Sequence, residues 1–394
     1  MTHAQAPIKL QALPTKVGIS RFKGRSGVEE HHIMICPTEY DCISAQLEAV
    51  EHAYKSALSS AGLSAGTCLF RRFFCSDLLG QSSALKSRPF SNPTQPDEDC
   101  AVSWVCQPPA PPAKVALWAY HVSPPGGMPD KNLKGQSLLF KRGELTHIWT
   151  TGGICTDKED SCSQTDGILK SYENTLHAQG ISLADNVIRT WLFVQNVDAD
   201  YHGLVAARRE IFEARGLTPE THYIASTGIQ GASANVSARV MMDAYAIKGV
   251  QKSQIRFLSA PEYLSPTHIY GVTFERGVSV DYRDRRHILI SGTASIDREG
   301  KIVYPGSVLQ QLDRTLLNID ALLKQAGAAL DDACMFIAYV RDPSDLALVQ
   351  NVLQNRLGEA PFQVTLAPVC RPGWLVEIEC QAVIPASNPA LPAF

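Results

Sequence analysis

Hydrophobic and polar residues alternate most regularly near the end of the chain. Residues 361–383 predict two strands around the turn Pro372-Gly373, since proline and glycine favour tight turns. Successive side chains of a strand point to opposite faces. One face of the second strand therefore carries Val376, Ile378, Cys380 and Ala382. The other face carries Glu377, Glu379 and Gln381, so this strand is amphipathic with two carboxylates on one side.

Two interpretations of this acidic face remain open. The carboxylates of Glu377 and Glu379 are roughly 7 Å apart, the spacing of alternate strand positions. If the face is closed over, repulsion and desolvation raise at least one pKa and create a proton donor. If it faces water, the two carboxylates are ordinary solvated charges. The pattern alone favours the solvated interpretation.

Earlier segments also show clear periodicity. Residues 41–61 place their apolar side chains on one stripe, which predicts a helix. Residues 68–77 and 115–122 have the apolar content of strands, and the first of them contains two adjacent arginines. Residues 84–113 are rich in Pro, Ser, Asp and Gln, so we expect an exposed loop insert there.

An internal repeat organises the rest of the chain. Residues 180–194 match residues 327–341 at a constant offset, and each copy lies between two predicted helices. The C-terminal copy predicts strands with two helices, the order of an α+β sandwich. We therefore expect a diverged N-terminal domain over 1–255 and a second domain over 256–394. Two such sheets can pack with their free faces inward and form a shared cleft.

Composition excludes several classes of function. The 394 residues are 45% hydrophobic and 19% charged, and a net charge of -3 offers no general attraction for nucleic acid or an anionic membrane. No apolar run approaches the ~18 residues of a membrane span. The chain shows no basic and apolar leader, so we expect a cytoplasmic protein. Its eleven cysteines form no CxxC pair, which predicts free thiols and no metal site. Phosphate-binding glycine loops are missing, and we expect no cofactor.

Several segments resemble the YjgF, or reactive-intermediate deaminase, superfamily. They are residues 290–296, 310–327, 338–342 and 375–379. Over about residues 65–385 the chain resembles more closely the chorismatases, two-domain relatives that split chorismate into pyruvate and a cyclohexadiene or hydroxybenzoate product. The closer resemblance rests on residues 222–229, on residues 270–276, and on Val369-Cys370-Arg371 placed before Glu377.

The resemblance implies a fold and a chemistry. The fold is α+β, with two tandem YjgF-like units of one sheet and two helices, the N-terminal one diverged. Chorismatases keep a glutamate at the position of Glu377 as the proton handler. Members that make 3-hydroxybenzoate carry a cysteine at the position of Cys370. Departures also exist, because Gln230 stands where a glutamate is expected and Ala232 where a basic residue is expected.

Further site residues follow from the substrate that the resemblance implies. Chorismate has two carboxylates, and arginine matches a carboxylate bidentately. We expect substrate contacts from Arg371, Arg276, Tyr223, Tyr270, Thr227, Gly228 and Glu379. The competing interpretations are that the arginines lie on the surface, that Tyr223 and Cys370 are core residues, and that both glutamates are structural.

The leading prediction is a cofactor-free enzyme that cleaves the enolpyruvyl ether of chorismate by general acid–base catalysis, with 3-hydroxybenzoate as the favoured product. An imine or enamine deaminase is the first alternative. The small deaminases hold their substrate carboxylate with an arginine just after a proline, and Pro361-Phe362-Gln363 has none. A non-catalytic small-molecule-binding protein is the second alternative. The chain is expected to be a monomer or a homotrimer.

Overall fold

The computed structural model describes residues 14–93 and 99–394. Over these residues the strands form three sheets, and each sheet consists of strands that are consecutive in the sequence. The elements of the first sheet are β1 (Thr15–Lys23), β2 (Glu29–Pro37), α1 (Ile43–Ala61), β3 (Cys68–Cys75), α2 (Leu78–Lys86), β4 (Ala101–Cys106) and β5 (Val115–Ser123). The predicted helix over 41–61 is α1, which ends at Gly62 because that residue has φ 67°, a conformation that favours glycine.

The second and third sheets follow. The second contains β6 (Asp130–Lys134), β7 (Ser137–Arg142), β8 (Leu145–Gly153), α3 (Ser161–His177), α4 (Leu183–Asn186), β9 (Val187–Val194), α5 (Val197–Ala214), β10 (Ala225–Gln230) and β11 (Val240–Lys248). The third contains β12 (Ile255–Leu258), β13 (Gly277–Asp281), β14 (Arg285–Ala294), α6 (Val308–Gln325), β15 (Ala333–Val340), α7 (Leu346–Arg356), β16 (Phe362–Leu366) and β17 (Val376–Pro385).

All three sheets share one strand order. The second sheet is β10-β9-β11-β8-β7-β6, and the third, taken from the same end, is β16-β15-β17-β14-β13-β12. The first is β4-β3-β5-β2-β1, which is the same order without the outermost strand. The expected α+β class and the tandem arrangement are therefore confirmed. The interval 1–255, in which we expected one diverged unit, contains two sheets.

The prediction of an exposed loop over 84–113 is wrong for most of the residues that the structure describes there. Helix α2 extends to Lys86, and β4 pairs in parallel with β3. Alternate residues of β4 are buried, and Pro109 forms a β-bridge with Thr365 of the third sheet. The segment was predicted as a loop because it is rich in Pro and Ser. The six residues of β4 are too few to change the average composition of the segment. Residues 94–98 of this insert lie outside the described residues.

The sheets turn one face towards each other and cover the other face with helices. In the first and second sheets the helix-covered faces form separate apolar clusters, whereas the facing sides of all three sheets belong to one core. Three buried ion pairs each join two different sheets, so that the ion pairs close a ring. The pairs are Arg72–Asp243 at 2.8 Å, Arg189–Glu379 at 2.7 Å and Arg285–Glu30 at 2.5 Å.

Each sheet also has the same irregularity in its register. The strands β3, β9 and β15 each carry one extra residue near their start, a β-bulge. The residues just before the extra one are Cys68, Val187 and Ala333, which pair with His121, Ala246 and Ala382. These pairs align the three sheets residue by residue.

No helix among the described residues combines the length and the apolar character needed to cross a membrane. In the same part of the chain, no group of three or more His, Cys, Asp or Glu side chains has an arrangement that could hold a metal ion.

Candidate active site

A cavity of about 300 Å³ lies between the second and third sheets. Helix α5 and strand β10 line it from one side, and β14, β17 and the segments before β13 and β17 line it from the other. Its polar side chains include Tyr201, Arg208, Tyr270, Arg276, Cys370, Arg371 and Glu377. Apolar side chains such as Val205, Val272 and Trp374 complete the wall. The site therefore combines an apolar surface with several convergent polar groups, as small-molecule sites do.

Glu377 is the acidic residue of this cavity. Its side chain is only 6% exposed, and it has no hydrogen-bonding side chain or backbone partner among the described residues. Burial, with the charge of Glu379 adding to it, raises the pKa of Glu377 to about 8, although Arg276 and Arg189 oppose the shift. The solvated interpretation of this face is therefore wrong. A carboxyl that is still protonated near neutral pH is a proton donor.

The backbone opposite Glu377 is adapted to this carboxyl. Strand β14 carries a register shift between Ile290 and Thr293 where it pairs with β17, and Gly292 lies inside that shift. A Cβ atom on Gly292 would overlap the Glu377 carboxylate. Only glycine leaves the side chain of Glu377 room to reach the cavity.

Glu379 lies behind the cavity wall. It is 2% exposed and does not line the cavity. Its carboxylate accepts hydrogen bonds from Arg189 Nη2 at 2.7 Å, from Trp191 Nε1 at 2.8 Å and from the Thr227 hydroxyl. Thr227 itself accepts from the backbone N–H of Gly292 at 2.9 Å. Glu379 and Thr227, both expected at the substrate, are thus engaged in a buried network that joins the two sheets.

Arg276 and Arg371, both expected from the sequence, line the cavity. Arg276 donates from Nε and Nη2 to the carbonyl of Ser265, and Arg371 donates from Nη2 to the carbonyl of Tyr270 at 3.1 Å. Both guanidinium groups lie over the ring of Tyr270, at 5.2 and 4.8 Å. These contacts fix the two guanidinium groups and leave donor N–H groups for a ligand.

A third arginine, which was not predicted from the sequence, also lines the cavity. Arg208 of α5 is buried and lines the cavity, and its Nε donates to the Thr273 hydroxyl at 3.1 Å. Its buried Nη2 has no hydrogen-bond partner in the described structure. Tyr201, Val205 and Arg208 are spaced by four and three residues, so they share one helical face. The polar residues Tyr201 and Arg208 on this face of the helix were the sequence pattern from which the site residue could have been predicted.

Cys370 also lines the cavity, and its thiol stays protonated. Burial, with the nearby charge of Glu377, raises the pKa of Cys370 to about 12, while Tyr201 and Arg371 oppose the shift. Glu377 and Cys370 are therefore both protonated groups on the same cavity.

The remaining predicted residues divide into two groups. Tyr270 and Gly228 line the cavity, and burial raises the pKa of Tyr270 to about 12. A Cβ atom on Gly228 would lie 3.0 Å from Cε2 of Tyr201, so the glycine permits a close approach of that ring. Tyr223 does not line the cavity. It is buried beside Phe212, at a ring distance of 6.3 Å, and serves the core of the second sheet.

The third sheet carries the similarity to known sequences. The profile of the family described as Endoribonuclease L-PSP matches residues 278–384. A RutC family protein of Pyrococcus abyssi is 31% identical over 96 residues, which are 24% of this chain and 76% of that protein. A RutC family protein of Drosophila melanogaster is 28% identical over 103 residues, which are 25% of this chain and 72% of that protein.

The similarity in structure extends much further along the chain. A crystal structure of a chorismatase superposes with a TM-score of 0.60 at 18% sequence identity. The match covers 80% of this chain and 93% of that one. The arrangement of the sheets, and not only the third sheet, is therefore shared with the chorismatase fold.

Proposed function

From the membership of this chain in the RutC family and from its chorismatase fold, we propose that it cleaves the enolpyruvyl ether of chorismate to pyruvate and a hydroxybenzoate, with 3-hydroxybenzoate as the favoured product. One observation carries the proposal. Glu377, whose pKa is raised to about 8, faces a cavity that three arginine side chains also line. A buried acid beside several fixed cations suits a dianion that must be protonated on carbon.

The first step is proton transfer from Glu377 to the methylene carbon of the enol ether. The methylene becomes a methyl group, and the neighbouring carbon becomes an oxocarbenium ion. Glu377 is left as a carboxylate, which the charges of Arg276 and Arg189 stabilise. The rise in pKa that burial imposes makes the proton available, and these charges limit the energy of the anion that follows.

Hydrolysis then returns the proton. Water adds to the oxocarbenium carbon, and the Glu377 carboxylate accepts one of its protons. The resulting hemiketal collapses, which breaks the bond between that carbon and the ether oxygen. The products are pyruvate and a dihydroxycyclohexadiene carboxylate, and Glu377 ends the cycle protonated. One water molecule is consumed in this stage.

Aromatisation releases that water again. The ring loses the hydroxyl that was not part of the ether, together with the hydrogen on the carbon that carried the ether. The product is 3-hydroxybenzoate, and the overall conversion of chorismate to pyruvate and 3-hydroxybenzoate needs no net water. Cys370, a protonated thiol on the cavity wall, is the group that we assign to the leaving hydroxyl.

The arginines hold the two carboxylates of the substrate. Arg208 Nη2 is buried and has no hydrogen-bond partner among the described residues, and Arg371 is fixed between Tyr270 and Trp374. Bidentate binding by a planar guanidinium orients a carboxylate as well as attracting it. Val205, Val272 and Trp374 supply the apolar surface for the ring.

Incubation of the purified protein with chorismate tests the proposal. Pyruvate is followed by a coupled assay, and the ring product is identified by chromatography. Pyruvate with 3-hydroxybenzoate is the expected result. Pyruvate with another ring product would support cleavage of the ether but contradict the role assigned to Cys370. Absence of pyruvate, together with hydrolysis of 2-iminobutanoate, would favour the deaminase instead, and tight binding without turnover would favour a binding protein.

A further inference from the structure

Two cysteines of the first sheet lie in contact on the face that its helices cover. The sulfur atoms of Cys68, at the start of β3, and Cys100, just before β4, are 3.3 Å apart. Both side chains are buried, and both are free thiols. Neither of them is among the residues that line the candidate active site. The pair is therefore a second cluster of reactive groups, separate from the proposed chemistry.

The β-bulge of β3 brings the two sulfur atoms together. Phe70 pairs with Ala101 of β4, and regular alternation would place Cys68 on the same face as Phe70. The extra residue of the bulge, Leu69, reverses the face of Cys68. Cys68 consequently joins Cys100 in the helix-covered apolar cluster. Phe70 and Ala101 both lie in the core that the three sheets share.

A lysine of the second sheet fixes the backbone beside both cysteines. Lys131 of β6 donates from Nζ to the carbonyl oxygen of Cys68 at 2.7 Å and to that of Asp99 at 2.5 Å. Asp99 directly precedes Cys100. The strand ladder and this lysine thus hold the two thiols in one arrangement.

The surroundings favour ionisation of one thiol over the other. Although burial opposes the shift, a hydrogen bond from Cys100 and the charge of Arg71 lower the pKa of Cys68 well below its usual value. Burial, with the neighbouring Cys68, raises the pKa of Cys100 well above its usual value. Arg71 is itself held in place, because its Nε donates to the Tyr54 hydroxyl at 3.2 Å. A thiolate in contact with a thiol is the arrangement from which a disulfide forms.

We propose that Cys68 and Cys100 are a redox-active pair, which a peroxide oxidises to an intramolecular disulfide. This inference is independent of the proposed function. The sulfur of Cys68 attacks hydrogen peroxide and breaks the O–O bond, which gives a sulfenic acid and one water molecule. The sulfur of Cys100 then attacks the sulfur of the sulfenic acid, the S–O bond breaks, and the hydroxyl leaves as water with the Cys100 proton. In total two thiols give two electrons to the peroxide, and two water molecules form.

The first test uses the wild-type chain in its folded state. The protein is treated with hydrogen peroxide near neutral pH, and the remaining thiols are blocked with N-ethylmaleimide. The peptides are then mapped by mass spectrometry without reduction. Digestion with trypsin and chymotrypsin separates Cys68 from Cys75 and Cys100 from Cys106. We expect the peptide of Cys68 linked to that of Cys100, and loss of this product after treatment with dithiothreitol.

Cys75 and Cys106 are a matched pair within the same protein. They are register partners on the same two strands, but their sulfur atoms contact different carbonyl oxygens, those of Phe73 and Ser76. We expect their linked product to be at least about tenfold less abundant than that of the proposed pair. Absence of the proposed link, or equal amounts of both links, would overturn the proposal.

Cys100→Ala tests the order of the two steps. Without the second thiol, the sulfenic acid of Cys68 should accumulate, and dimedone should label Cys68 at least about fivefold more than in the wild type. Cys42→Ala, at an exposed cysteine, is the control and should leave the labelling of Cys68 unchanged. Equal labelling of Cys68 in Cys100→Ala and the wild type would overturn the proposal. Thermal melting establishes that both variants are folded, and the mapping of the wild-type chain needs neither of them.

Discussion

Glu377 and Glu379 point to the same side of β17, yet within the described structure only Glu379 forms an ion pair. Arg189 and Trp191 of the second sheet donate to Glu379 at 2.7 and 2.8 Å, whereas Glu377 faces the cavity. The negative charge of Glu379 adds to the burial that raises the pKa of Glu377. Two like residues on one strand thus have different surroundings, because the second sheet places a cation beside one of them and a cavity beside the other.

Replacement of Glu377 by glutamine should abolish turnover, because an amide has no proton to give to the enol ether. We expect kcat for pyruvate release to fall by about a thousandfold or more, within the range for loss of a general acid. Glu213→Gln on the exposed face of α5 is the control and should retain wild-type activity. Residual turnover within tenfold of the wild type would remove Glu377 from the mechanism.

The same variant should change the dependence of stability on pH. Below pH 4.5 the carboxyl is protonated in both the folded and the unfolded chain. Between pH 4.5 and about 8 the unfolded chain has lost this proton and the folded chain has not, so the free energy of unfolding falls as pH rises. The loss is roughly 1.4 kcal/mol per pH unit, or about 5 kcal/mol at pH 8, and constant above it.

Glu377→Gln does not pay this penalty. Its melting temperature should therefore exceed that of the wild type at pH 8 and approach it at pH 5. For catalysis, the protonated form is the active one, so kcat of the wild type should fall about tenfold per pH unit above pH 8. Equal melting temperatures at both pH values would show that the folded-state pKa of Glu377 is not raised.

Arg208→Lys should weaken substrate binding. Lysine keeps the positive charge but loses the planar pair of donors with which Arg208 lines the cavity. We expect KM for chorismate to rise about tenfold or more, with a smaller change in kcat. Arg256→Lys, at an arginine with a 63% exposed side chain, is the control. A KM within twofold of the wild type would exclude a carboxylate contact by Arg208.

Cys370→Ala should change the products more than the rate. Removal of the thiol leaves Glu377 and the arginines in place, so pyruvate release should continue within about tenfold. The fraction of dihydroxycyclohexadiene carboxylate should rise relative to 3-hydroxybenzoate, as measured by chromatography. An unchanged product ratio would show that the thiol has no part in aromatisation.

The protein should be a monomer of 43.0 kDa by light scattering. Each of the three sheets already meets the other two within the chain, through the pairs Arg72–Asp243, Arg189–Glu379 and Arg285–Glu30. No sheet face of this ring needs a second copy to cover it. A stable trimer in dilute solution would show that an outer surface, and not the ring, drives association.

The alternation along β17 was sufficient to place Glu377 and Glu379 on one face. It was not sufficient to predict that this face is buried, because residues of another sheet, such as Arg189 and Trp191, cover it. Burial of a strand face depends on contacts that are distant in sequence. For the same reason only the resemblance to the chorismatases assigned Glu377 the role of proton handler.

The sequence repeat predicted the correct order of helices and strands, but its alignment of the two copies was wrong by one residue. It aligned Val187 with Cys334, whereas the bulges align Val187 with Ala333. A slip of one residue exchanges the two faces of a strand. Arg208 was missed for a different reason: it interrupts an apolar helix stripe, and a pattern search treats such an interruption as noise.

The bulge that the three sheets share has a consequence for how this protein can change by mutation. Counted back from the residue that pairs at each bulge, Glu377 of the third sheet corresponds to Met241 of the second and Ala116 of the first. A trimer of identical chains must repeat every substitution three times, whereas each sheet of this single chain can change on its own. Among the three corresponding positions, the third sheet has the acid and the other two have the apolar residues Met241 and Ala116.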